Sequence, residues 1–172
     1  MKRNRWLILL LLLLMIITVI FGLLFFRDPI NLYHLKEAFI FGYHPDPLAS
    51  ELTDAFSKYE SGDIPYVDMA AVTTFDWDRL YIYGPYTSPV EELYSRFGRS
   101  FMSCSTEITA NDGVSLLVFA KGNILVHCMD YGPDVGGYSF TRLHGKYPDG
   151  ISSQDALFIL REDYWIYLLN DK

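Results

Sequence analysis

Cysteine is scarce in this chain of 172 residues, with Cys104 and Cys128 the whole supply. Two cysteines in that length do not make a disulfide scaffold. Histidine is nearly as rare, and the spacing of His34, His44, His127 and His144 sets up no metal site. A centre built from His127, His144 and Asp130 would need the fold to gather them. The segment from Asp149 to Asp155 offers oxygen ligands without the spacing of an EF-hand loop. No G-x-S-x-G, no P-loop and no G-x-G-x-x-G is present, so the familiar nucleophile and nucleotide motifs are absent. No cofactor is expected. Positive charge is also short, with 14 basic against 21 acidic residues and a formal net charge of −7. Such a balance repels phosphate backbones, so nucleic acid is an unfavourable partner.

What the chain has in excess is one apolar run. From Trp6 to Phe26 no residue is charged, and 21 residues at about 1.5 Å each span a hydrocarbon core of roughly 30 Å. A secretory signal would have a shorter apolar region ending in small residues. This run instead leaves through Phe25, Phe26, Arg27, Asp28 and Pro29, and no cysteine lies near for lipid attachment. The expected reading is an uncleaved transmembrane anchor that holds membrane lipid through residues 6–26. Lys2, Arg3 and Arg5 keep residues 1–5 in the cytoplasm. The rest of the chain then lies outside a bacterial cytoplasmic membrane. With those three cations set aside, 11 basic residues face 21 acidic ones, a formal −10.

Residues 27–46 read as a short juxtamembrane helix and linker, and residues 47–172 as an extracytoplasmic domain. Asp46 and Pro47 offer a cap and a first-turn proline for a helix with Leu48, Leu52, Ala55, Phe56 and Tyr59 on one stripe, ended by Gly62. The remainder is rich in β formers. "VSLLVFAKGNILVHCMDY" reads as a hairpin around Lys121-Gly122, with Ala120 opposite Asn123 and Ser115 opposite Cys128. "FMSCSTEI" reads as a preceding strand. In that register Cys104 and Cys128 flank a third strand, well beyond the roughly 7 Å Cα limit for a bridge, so buried free thiols are expected. His127 would point away from the core face. A short strand is expected within Tyr138 to Leu143, and a last hairpin in "ALFILREDYWIYLLN" turning at Glu162-Asp163. The expected fold is α+β: one antiparallel sheet of about five strands, with one or two helices on one face, preceded by a single N-terminal transmembrane helix.

The stretch "FDWDRLYIYGPYTSPVEEL", Phe75 to Leu93, holds the chemistry candidates. Its alternation slips, since Phe75 and Trp77 share one face and Leu80 and Ile82 the other. A bulge near Asp78 and Arg79 would let one core take all four. Without it, Asp76 and Asp78 stand about 7 Å apart on one face, a spacing that resembles the paired carboxylates of glycoside hydrolases. The architectural alternative has them capping turns or pairing with Arg79 and other basic residues at the edge of the sheet. Gly84-Pro85 then stops the strand. Ser88, Pro89 and Glu91 read as a capping box for a helix carrying Val90, Leu93, Tyr94 and Phe97, ended by Gly98. A dyad of Cys104 with a histidine is opposed by the thiol's apolar position.

The FDWD-x-x-Y-x-x-GPYT-like signature, with the "LLVFAKGNILVH" hairpin behind it, resembles small bacterial proteins that are membrane-anchored or lipid-anchored. The resemblance covers about a third of the chain and implies no activity or site residues. The order of strand, glycine, capped helix and strands is also similar to the helix-on-sheet modules of outer-membrane assembly lipoproteins and β-lactamase inhibitor proteins. That likeness is one of pattern and does not fix function. The functional expectation is a non-enzymatic extracytoplasmic module of the bacterial envelope that binds another protein, inhibitor-like or immunity-like. Its weak binding candidates are Asp76, Trp77, Asp78, Arg79 and Tyr86. The alternative is an envelope glycan hydrolase using Asp76 and Asp78.

Overall fold

Helix α1 (Pro47–Glu60) begins where the sequence places it. The Asp46 side chain accepts from the Leu48 N–H at 3.0 Å and Pro47 takes the first turn. A computed structural model describes residue 15 and residues 46–170, apart from 105, 136, 141, 142, 144, 145, 162 and 163. The chain divides into two units, Met1–Phe41 and Gly42–Lys172. The expected span over residues 6–26 apart from Met15, most of the juxtamembrane segment, and His34, His44 and His144 lie outside the described residues. Among the described residues no helix is long and apolar enough to cross a membrane.

After α1 come β1 (Val67–Asp68), α2 (Met69–Val72), β2 (Arg79–Tyr83), α3 (Val90–Phe97) and a 3₁₀ segment (Gly98–Ser103). Strands β3 (Ser115–Lys121), β4 (Ile124–Tyr131), β5 (Ser139–Phe140), β6 (Ile151–Ser152), β7 (Leu157–Leu160) and β8 (Trp165–Leu168) follow, with a 3₁₀ turn (Pro133–Val135) after β4. The single sheet of about five strands is corrected to two sheets of four, ordered β4-β3-β2-β6 and β1-β7-β8-β5. The terminal hairpin β7-β8 forms as expected, but it pairs with β1 and, in parallel, with β5.

The second correction concerns the helices, which do not share a face. Along β2 and β3 the residues Leu80, Ile82, Leu117 and Phe119 join one hydrophobic cluster with Leu52 and Phe56 of α1 and with the other sheet. The opposite face, carrying Tyr81, Tyr83, Leu116 and Val118, is covered by Val90, Leu93, Phe97 and Phe101 of α3 and the 3₁₀ segment. Successive side chains point to opposite faces and the buried runs of β2 and β3 are continuous, so both faces need cover.

The expected bulge has a structural counterpart. Arg79 pairs with Ala120, and the Asp78 N–H also donates to the Ala120 carbonyl at 2.8 Å, so two residues meet one. The chain is thereby re-aimed, and Phe75, Trp77, Leu80 and Ile82 all pack on the same core. The β3-β4 register is corrected, since Lys121 faces Ile124 and Gly122-Asn123 is the two-residue loop. Positive φ falls on Gly122, at 57°, the first corner of the turn, which suits a glycine-first hairpin. A register shift between Phe119 and Ala120 then sets Val118 opposite Cys128 and Phe119 opposite His127.

That shift, with the loss of an expected strand, overturns the free thiols. "FMSCSTEI" is not a strand: Ser100 Oγ donates to the Phe97 carbonyl at 2.6 Å and Ser103 Oγ to the Ser100 carbonyl at 2.8 Å, drawing the chain into 3₁₀ turns. Cys104 is therefore delivered beside the outer strand β4, and Cys104 and Cys128 form a disulfide with Cα atoms 5.7 Å apart.

The capping box is corrected too. Pro89 occupies the N-cap position, no side chain caps α3, and Ser88 is exposed one residue further out. Ser88→Ala is accordingly expected to change denaturant stability by less than about 0.5 kcal/mol. Asp46→Ala is expected to lower it by about 1 kcal/mol. Urea unfolding of the two variants side by side checks this pair, and a loss at Ser88 as large as that at Asp46 would contradict it.

Candidate functional site

Strand β6 pairs with β2 only at Arg79 and Leu80. Beyond that point the edge of β2 borders a cleft of about 290 Å³, and four successive β2 residues, Leu80 to Tyr83, line it. Because successive side chains alternate between faces, only a strand edge can present all four. Helix α3 supplies Glu92 and Arg96, one turn apart on its flank, and the segment before β6 supplies Leu143, Tyr147 and Pro148. Gly150 lets that segment close. Its φ is +74°, and a Cβ there would stand 2.9 Å from the Tyr81 ring.

The polar groups of the cleft form a connected set. Tyr83 donates its hydroxyl proton to Glu92 Oε1 at 3.0 Å, and Arg96 Nη2 donates to the same oxygen at 3.3 Å. Nη2 also donates to the Pro148 carbonyl at 2.9 Å, which ties α3 to the far wall. Nη1 donates to the Tyr81 hydroxyl at 3.3 Å, and the guanidinium carbon lies 4.6 Å from the Tyr81 ring centroid. Among the described residues Arg96 Nε is buried without a hydrogen-bond partner.

Burial, then the negative charge and hydrogen bond of Glu92, push the Tyr83 hydroxyl well above the usual tyrosine range. For Arg96 desolvation opposes the charge, but Tyr81, Tyr83 and the Glu92 contacts outweigh it and the net shift is upward. Both groups therefore hold their protons at neutral pH. The arrangement can position, accept and donate hydrogen bonds in a fixed protonation state.

The residues singled out from sequence are gathered elsewhere. Asp76 is exposed and forms an ion pair with Lys121 at the end of β3. Asp78 accepts the Gly122 N–H with both carboxylate oxygens, at 3.1 and 3.0 Å, so the two aspartates hold the β3-β4 turn. Trp77 is buried, donates from Nε1 to Thr73 Oγ1 at 2.7 Å, and meets Phe119 edge to face. Arg79 is exposed beside them. Tyr86 lies past the other end of β2, 68% exposed with φ 58°, its N–H bonded to the Ile108 carbonyl at 2.6 Å. None of the five lines the cleft.

His127 faces the core side, against the expectation that it points away. Its ring centroid is 5.0 Å from that of Phe75, and Nε2 lies 3.1 Å from Asp46 Oδ2 without the alignment of a hydrogen bond. Asp130 is buried and accepts from Thr106 Oγ1 at 2.5 Å and from the Glu107 N–H at 2.7 Å, pinning the segment after Cys104. Among the described residues no group of three or more His, Cys, Asp or Glu is placed to hold a metal ion. No family model, curated protein or solved structure matches the chain.

Sequence reasoning passed over Glu92, Arg96, Tyr81 and Tyr83. Their one sequence signal is a Glu-to-Arg pair at i, i+4 on a helix that follows two tyrosines at i, i+2 of a strand. Both halves also read as surface decoration, and only the turn at Gly84-Pro85 brings them face to face.

Proposed function

We propose that this chain is an extracytoplasmic binding module of the bacterial envelope, with the apolar run at Trp6–Phe26 as its tether and the β2-edge cleft as its recognition site. The observation that carries the reading is the Tyr83–Glu92–Arg96–Tyr81 network. It puts convergent hydrogen-bonding groups into a small concave site with apolar walls, the usual make-up of a ligand pocket. A catalytic site needs a nucleophile beside its base, or an acid and base whose proton affinities are pulled apart. The two shifted groups here are instead both pushed further from neutrality.

One further observation supports the module over the hydrolase, and another supports the extracytoplasmic placement. Asp76 and Asp78 are exposed and bound into a turn, with no apolar wall around either. The disulfide suits an oxidising compartment, where such bonds persist.

The placement is tested by protease protection on spheroplasts expressing the full chain. External protease is expected to remove the domain while the cell interior stays intact. Digestion only after the membrane is opened would sink the extracytoplasmic placement.

A further inference from the structure

We infer that the ligand of the β2-edge cleft is a neutral, hydroxyl-bearing ring, a single sugar unit of a glycan. This rests on the cleft being a binding site.

Arg96 and Glu92 already neutralise one another one turn apart on the α3 wall of the cleft. A carboxylate ligand would have to compete with Glu92 for the guanidinium, and an ammonium would have to compete with Arg96 for the carboxylate. Either would leave the displaced partner with a weakened ion pair in a half-buried position. A neutral ligand asks for no such exchange. It also meets no repulsion from the acidic domain around it.

The unused capacity of the network points the same way. Tyr81 accepts from Arg96 and keeps its own O–H to donate, while Arg96 Nη1 carries a second proton beyond the one given to Tyr81. On the other side, Glu92 takes both of its contacts on Oε1, leaving Oε2 to accept. A hydroxyl group is the small neutral group that accepts from one side and donates to the other. Two adjacent hydroxyls would satisfy both edges of the network.

The walls supply the rest. Pro148 offers exposed apolar surface beside the largely buried Ile82 and Leu143, and Tyr147 adds an aromatic side chain for the C–H face of a sugar. A volume of about 290 Å³ is at the small end of ligand pockets, room for one ring.

The test uses the full chain in a zwitterionic detergent with no sugar headgroup, titrated by saturation-transfer NMR with glucose, galactose, mannose and N-acetylglucosamine. Acetate, ethylammonium and a capped trialanine serve as charged and peptide probes. At least one neutral sugar is expected to bind saturably with a dissociation constant on the order of 1 mM. Glu92→Gln and Tyr81→Phe are each expected to weaken it roughly tenfold. Circular dichroism checks their folding, and Tyr81→Phe, which removes one O–H, keeps the test in force should Glu92→Gln misfold.

Sugar binding that survives both variants would place the ligand elsewhere and overturn the inference. Binding of a charged probe or the peptide instead, abolished by the same variants, would overturn the sugar class and leave the binding module standing. Silence from every probe would count against both.

Discussion

Replacing Phe119 with alanine is expected to cost about 4 kcal/mol, within the range for emptying a fully buried aromatic site. Phe119 sits fully buried on β3, an inner strand of its sheet, and reaches the cluster shared by both sheets and α1. The Phe75 and Trp77 rings each meet it edge to face with centroids 5.2 Å away, and the His127 ring lies 6.3 Å off. Removing it would empty the space beneath the whole FDWD segment. That segment cannot collapse to fill the gap, because Asp78 and Asp76 bind it to the β3-β4 turn. Equilibrium unfolding in urea measures the loss, and Phe119→Leu is expected to recover more than half of it. A loss under about 1 kcal/mol would show that this core is not the one the FDWD segment rests on.

The disulfide carries the second large effect. Cys104→Ser with Cys128→Ser is expected to lower stability by about 3 kcal/mol, from the freedom regained by an unfolded chain no longer closed across a sequence separation of 24. Local structure adds a reason to expect concentrated damage. Cys104 follows a 3₁₀ segment and precedes the Thr106–Glu107 contacts to Asp130, so the bond and the buried carboxylate together hold the cover of one sheet face. Parent protein treated with reductant is expected to unfold at the same urea concentration as the double serine variant. If the parent under oxidising conditions matched the double variant, the bond would contribute nothing.

How much of this was legible in the sequence depends on the distance over which each element is decided. Helix α1 was legible because its signals are local: Asp46, Pro47 and a stripe at helical spacing. The FDWD segment was legible as architecture because its slip in alternation is itself local. One bulge reconciles Phe75 and Trp77 with Leu80 and Ile82, and the aspartates went to turn contacts. Lys121 and Gly122 are their partners, though, and Arg79 is not.

The failures share a cause. Where β3 turns into β4, a one-residue choice of corner and a register shift moved Cys128 by several positions, and nothing in "AKGNIL" fixes that choice. Ser103 of "FMSCSTEI" reads as a strand residue but, like Ser100 just before that stretch, bonds back to the carbonyl three residues earlier. The pairing of β7-β8 with β1 and β5 is a long-range decision with no local mark, so two sheets were read as one. The two-residue β1 and four-residue α2 are too short to leave a period. The cleft needed all of these at once, since its walls come from β2, α3 and the segment before β6.

The proposed placement of this disulfide-bonded domain in an oxidising compartment is tested most directly by the redox state of its two cysteines in living cells. Cells expressing the full chain are quenched in acid, and thiols are labelled with a maleimide large enough to shift the band on a gel. With only Cys104 and Cys128 to label, the result is unambiguous. The predicted outcome is no shift before reduction and a two-label shift after it. Two labels on the unreduced, correctly folded protein would contradict the account.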